Sequence, residues 1–219
     1  MEDTARIHAE IQTYYGGMTG AHHRYRSWEH CYRYFHRSTP EHVAADNDHA
    51  ALQLAFYLAS WGMYRGSSFL LQHDYTIHLA VIDQLVAPQF CVLWEQEFGA
   101  GDYDSKLVPI ILEAVTAVRQ AYRPFAPSDT LVTKVLLGTF GCLPACDQYF
   151  KNGFKSAGFQ YSHLNAVFIE RVLCFCKANL AALREEQQII ETASGMRYPL
   201  MKLIDMYFWQ IGFAQSGIA

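Results

Sequence analysis

The tract LVTKVLLGTFGCLPACDQYFKNGF, residues 131–154, decides how the chain is read. It opens as an apolar helical segment that holds a single cation, Lys134, between Thr133 and Val135. Gly138, Gly141 and Pro144 then break the segment, because glycine weakens a helix interior and proline removes a backbone donor. Asp147 follows in the place of a helix N-cap, where a carboxylate accepts the otherwise unpaired first N–H groups. A lysine amid Leu131, Val132, Val135, Leu136 and Leu137 is open to two readings. Its stem either carries the ammonium out to solvent, or the amine stays partly desolvated, with a lowered pKa and the reactivity of a nucleophile. Asp147 is likewise either a plain cap or a working carboxylate.

Outward from this tract the pattern is helical throughout. Residues 3–15 read as a short amphipathic helix stopped by Gly16-Gly17. Residues 21–36 place Trp28, Cys31, Tyr32 and Phe35 at i, i+3, i+4 and i+7, the signature of one buried face. A third helix, starting at Asp46 or Asp48, interrupted by Gly62 and capped at Gly66, is apolar nearly all round and predicts a central position. Shorter segments follow over 67–98, then a helix from Asp104 or Ser105 to Tyr122, and the Lys134 helix capped by Ser128 or Asp129. A long helix over 162–191 and a closing helix from Pro199 complete the chain. No alternating strand pattern and no fixed repeat occurs. The expectation is an all-α single domain of about eight to ten helices, with room for two lobes, 1–100 and 101–219, about a central cleft lined by Lys134 and Asp147.

Composition narrows the class. With 219 residues, 51% hydrophobic and only 17% charged, the chain can bury a substantial core and is not a disordered segment. A net charge of −4 argues against a protein that coats nucleic acid. The distribution matters more. Residues 22–42 gather Arg24, Arg26, Arg33 and Arg37 with His22, His23, His30, His36 and His42, against Glu29 and Glu41. The patch predicts phosphate contacts by Arg24, Arg26, Arg33, Arg37 and His23, the competing reading being a solvated helix face. Its histidines lack ligand spacing, so neither a metal nor another cofactor is expected. Six cysteines without a Cys-x-x-Cys pair, an acidic polar N-terminus and no apolar run of membrane length predict free thiols and a cytoplasmic protein away from membranes. The surplus of apolar residues leaves a homodimer face as an expectation.

Thr133-Lys134-Val135, the short helix, the Pro144 turn and Asp147 together resemble the catalytic region of helix-hairpin-helix DNA glycosylases of the 8-oxoguanine glycosylase fold. Pro199, Asp205, Trp209 and Gly212 in YPLMKLIDMYFWQIG resemble the closing D-x-x-x-W-x-x-G helix of relatives of that fold. The resemblance covers about 24 residues and this end. It implies base excision on DNA, with Lys134 as Schiff-base nucleophile and Asp147 as acid/base or electrostatic partner. The target base would be flipped from the stack, and Trp28 and Trp61 are candidates to stack on it. The glycine hairpin L-P-G-V-G is absent ahead of Lys134, where residues 127–132 read PSDTLV, and the separation from Lys134 to Asp147 is short. A catalytic member would have to rebuild the phosphate grip. Two other readings stand beside this one. Arg37-x4-His42 resembles the R-x4-6-H motif of the all-helical HEPN ribonucleases, although Pro40 interrupts it. A non-enzymatic helical interaction module is the third.

Overall fold

The computed structural model describes residues 4–18, 20, 22–101 and 104–217. The fold is all-α: among the described residues there are twelve α-helices and no strand. They are α1 (Thr4–Gly17), α2 (Ser27–Arg37), α3 (Pro40–Ala45), α4 (Asn47–Ser60), α5 (Leu79–Leu85) and α6 (Cys91–Glu95), then α7 (Asp104–Ala121), α8 (Asp129–Thr139), α9 (Gln148–Ser156), α10 (Ala166–Ala178), α11 (Leu180–Ser194) and α12 (Leu200–Ala214). Short 3-10 turns cover Arg24–Arg26, Phe69–Gln72, Tyr75–His78 and Pro88–Phe90.

The helices are more numerous and shorter than the eight to ten expected, and the reasons are local. The segment expected over 21–36 starts as the 3-10 turn Arg24–Arg26, where the His23 ring accepts a hydrogen bond from Tyr25 N, and becomes α-helical only at Ser27. The long helix expected over 162–191 breaks at Asn179, whose Nδ2 donates to Phe175 O at 2.9 Å and competes with the backbone ladder. The third helix ends at Ser60. There Gly62, at φ +75°, closes a left-handed cap in which Gly62 N bonds Ala59 O and Met63 N bonds Leu58 O.

Two helices are buried almost entirely. In α12, Leu200 through Phe208 are all buried, and in α8, Leu131 through Thr139 are. α12 packs most extensively against α9, and also against α1 and α11. The α9 crossing is a backbone-to-backbone contact: a methyl group at Gly153 would overlap the Phe208 carbonyl oxygen, and one at Gly212 would overlap the Tyr149 carbonyl oxygen. α8 rests on α2 and α4. Trp28 Nε1 donates to Leu137 O at 3.1 Å, and Cys31 Sγ donates to Gly138 O at 3.4 Å. Past α8 the chain reverses at Gly141, φ +66°, where Pro199 and Tyr32 occupy the space a side chain would need. Buried side chains from Ile7 to Ile211 form one continuous cluster.

All six cysteines are free thiols, four of them buried. Among the described residues no single helix is long and apolar enough to cross a membrane. The exposed large apolar side chains include Leu52 and Phe56 on α4, Leu71, Val167 on α10 and Ile189 on α11.

His78 is fully buried between two tyrosines, its Nε2 2.8 Å from Tyr64 Oη and its Nδ1 2.7 Å from Tyr122 Oη. Burial pushes its pKa down from 6.5 to about 4.

Two stability predictions come from this packing. Gly153→Ala or Gly212→Ala is expected to cost about 3 kcal/mol or more, because backbone cannot yield as a flexible side chain can, and denaturant midpoints measure it. For His78, the unfolded chain takes up a proton between pH 6.5 and about 4 that the folded chain refuses. Stability is therefore unaffected by this group above pH 6.5, falls by about 3 kcal/mol as pH drops to 4, and levels off below. His78→Phe should flatten that acid limb; an unchanged limb would show that other groups carry it.

Candidate functional site

Ser128 caps α8, its Oγ accepting from Leu131 N at 3.2 Å. Lys134 sits one turn further, pointing at the C-terminal end of α4. Its Nζ donates to Trp61 O at 2.9 Å and lies 5.6 Å from the centre of the Trp61 ring. The side chain is buried, with 5% of its surface exposed. Burial lowers its pKa, Asp147 and Asp205 oppose that shift, and Arg65 and Lys202 reinforce it. Asp147 is the N-cap of α9, with Oδ1 accepting from Phe150 N at 3.0 Å. The turn between them is pinned on both sides. Cys146 N donates to Thr133 Oγ1 at 2.9 Å, Thr130 Oγ1 donates to Cys146 O at 2.7 Å, and Ala145 N donates to Asp205 Oδ1 at 3.0 Å. A short connection thereby brings Asp147 beside the face of α8 that carries Lys134.

Both side chains line one cavity of about 310 Å³, a volume at the lower end of ligand sites, which run from about 300 to 1,000 Å³. Its walls include Tyr14, Tyr25, Trp61, Tyr149 and Trp209. The rings run on from one another: Tyr25 stands 6.0 Å from Tyr14, 5.6 Å from Trp61 and 5.7 Å from Trp209, which stands 5.1 Å from Tyr149. Arg24, Arg65 and Lys151 also line it, the two arginines being exposed. Among the described residues, ion pairs hold Arg26, Arg119, Lys177, Arg184, Arg197 and Lys202, and none involves Arg24, Arg65, Lys134 or Lys151. The cavity thus gathers cations that have no acid of their own around one carboxylate and a set of aromatic faces. Such a surface suits a ligand that is anionic at one end and flat at another.

The residues expected from sequence divide. Lys134, Asp147, Arg24 and Trp61 meet at this cavity. His23 lines an adjoining space that shares Tyr14, Arg24, Tyr25 and Trp209. Arg26 is engaged by Glu29 at 3.2 Å, Arg33 Nη2 lies 3.7 Å from Met196 Sδ, and Arg37 ends α2 in solvent; none of the three lines the cavity. Trp28 requires a correction. It has no exposed surface, and Tyr32, Tyr198 and Lys202 cover its ring, so it is a core side chain with no face to offer a base. Arg37 and His42 lie exposed on consecutive helices, with Thr39 capping α3 and Pro40 in its first turn, and neither lines this cavity.

Arg65, Lys151, Tyr14, Tyr25 and Tyr149 are the additions that sequence reading missed. Trp209 stands in the closing-helix pattern, and Arg65 follows a glycine turn with no periodic signal. No family model matches the chain, and neither does any curated protein or solved structure.

If Lys134 serves the cavity rather than the fold, removing its charge should relieve a buried ammonium. Lys134→Met is expected to be neutral or to stabilise by up to about 2 kcal/mol in denaturant unfolding; a loss of that size would mark the lysine as structural.

Proposed function

We propose that the cavity receives a nucleotide swung out of a DNA strand and that Lys134 attacks its C1′ atom, releasing a modified or damaged base. The observation that carries this reading is the joint placement of Lys134 and Asp147 on one aromatic, cation-rich cavity. A buried amine with a lowered pKa holds more of its population as the free base near neutrality, which is the form that attacks carbon. Support also comes from the resemblance of residues 133–147 to the catalytic region of helix-hairpin-helix DNA glycosylases.

In the proposed reaction the Lys134 nitrogen bonds to C1′ as the C1′–N bond to the base breaks and its electron pair leaves with the base. Asp147 stabilises the positive charge that develops at C1′ and O4′, and relays the proton that the attacking amine loses to the departing base. Opening of the sugar ring then leaves an imine between Lys134 and C1′. Trp61, Tyr25 and Trp209 offer faces on which the flipped base can stack, offsetting the few kcal/mol that unstacking costs. Arg24, Arg65 and Lys151 supply the phosphate contacts that a glycine hairpin would otherwise provide.

Borohydride is expected to trap a covalent complex with duplex or single-stranded DNA carrying the right lesion from a panel of modified bases. Lys134→Ala should abolish trapping. Asp147→Asn, which preserves the cap because asparagine serves that position as well as aspartate, should lower it about 100-fold. Persistent trapping by Lys134→Ala, or none by the unsubstituted protein across the panel, would sink the proposal. Arg65→Ala should weaken DNA binding and reduce its salt dependence by about one phosphate contact.

A further inference from the structure

Behind the cavity, α12 carries a second charged pair that does not line it. Lys202 Nζ and Asp205 Oδ2 are 2.8 Å apart, with side chains 0% and 1% exposed. Each reaches one of the two cavity groups through a single intermediary. Asp205 Oδ1 accepts from Ala145 N at 3.0 Å, and Ala145 O accepts from Asp147 N at 2.9 Å. Lys202 Nζ lies 4.6 Å from the centre of the Trp61 ring, the residue whose carbonyl holds Lys134 Nζ. The same ammonium lies 4.7 Å from the Tyr14 ring and 5.3 Å from that of Trp28, and donates to Tyr14 Oη at 3.3 Å. Two lysine ammonium groups therefore share one indole. Burial opposes the charged form of both partners of the pair, lowering the lysine pKa and raising that of the aspartate. An apolar pair of similar volume would serve stability as well or better, so stability does not account for its presence.

We infer that Lys202 and Asp205 are positioning residues for the cavity, Asp205 fixing Asp147 through Ala145 and Lys202 fixing Lys134 through Trp61, and that their charges set the proton occupancy of the Lys134 amine. The inference rests on reading Lys134 as the nucleophile. The charged groups that act on Lys134 are Asp147 from the cap of α9, Lys202 and Asp205 from α12, and Arg65 from the loop after α4. Asp147 acts on Lys134 more strongly than Asp205 does, and Arg65 more strongly than Lys202; Lys202 and Asp205, shielded from water and ions, are the two whose fields added salt weakens least.

The test uses pyridoxal 5′-phosphate, an aromatic aldehyde with a phosphate, and needs no DNA. The free Lys134 amine condenses with the aldehyde to an imine with loss of water, and borohydride then delivers hydride to the imine carbon, leaving a stable secondary amine. Labelling of the Lys134 peptide is followed by mass spectrometry against pH. Lys202→Met removes a positive charge and should move the labelling midpoint up, by at most about one pH unit because Asp205, left without its partner, takes up a proton more readily. Asp205→Asn removes the opposing negative charge, keeps an acceptor for Ala145 N, and should move it down by a similar amount.

Opposite shifts in folded protein support the inference, and where Lys202→Met does not fold, the downward shift in Asp205→Asn decides alone. Midpoints that stay together, even with lowered melting temperatures, reduce the pair to a structural feature and overturn it. Absence of Lys134 labelling in the unsubstituted protein overturns both this inference and the reading beneath it. Opposite shifts without any trapping on DNA would instead remove the base-excision reading alone.

Discussion

The contact between α9 and α12 at Gly153 and Gly212 governs the geometry of everything near the cavity. With no side chain at either glycine, the two helices approach until backbone meets backbone, and the spacing is fixed by carbonyl and amide atoms rather than by adaptable side chains. Phe150 and Phe154 from α9 pack edge-on against Phe208 from α12 around that contact. The consequence falls at the start of α9. Asp147, Tyr149 and Lys151 lie in its cap and first turn, so three walls of the cavity move as a unit with the crossing. A displacement of α9 by a methyl's width would carry the carboxylate away from α8 while leaving Lys134 in place.

α8 is held by a different set of contacts. Trp28 and Cys31 of α2 bond to the carbonyls of Leu137 and Gly138, and Thr130 and Thr133 clasp the turn at Cys146. The cavity therefore lies between two packed groups of helices, α8 on α2 and α4, and α9 on α12. Asp205 bridges them by holding Ala145 in the turn that joins α8 to α9. Buried ionic groups at such a junction give up stability that a well-packed apolar core can retain.

The parts of this arrangement that were legible in sequence are those governed by local rules. The Ser128 and Asp147 caps, the break at Gly141 and the apolar character of α8 all follow from backbone sterics and unpaired helix-end donors, and all are readable in residues 128–154. Trp28 was misread because helical spacing marks an apolar face without telling whether that face meets the core or a cavity; only the approach of Tyr198 and Lys202 over its ring decides it. Asn179 was passed over within a periodic segment because its effect is one side-chain hydrogen bond to Phe175 O, which outweighs continued periodicity. Tyr14, Tyr25, Arg65 and Lys151 converge from α1, the turn before α2, the loop after α4 and α9, and no local pattern announces a meeting of four distant segments.

Charge carries the same lesson further. A net charge of −4 reads as unfavourable to a nucleic-acid partner only if cations and carboxylates mix evenly over the surface. Here they do not. Glu29, Glu97, Asp104, Asp129, Glu191 and Asp205 are each engaged with a cation, and none of them lines the cavity. Arg24, Arg65 and Lys151, by contrast, border the cavity without acids of their own. Because the Debye length is only about 8 Å at physiological ionic strength, the charge that any ligand meets at the cavity is set by these nearby cations and Asp147 far more than by the chain's total. Cations thus outnumber carboxylates among the residues that line the cavity although the chain's net charge is negative, and the basic tract at residues 22–42 contributes to them through Arg24 alone among its arginines, the others being spent on Glu29, laid against Met196 or turned to solvent.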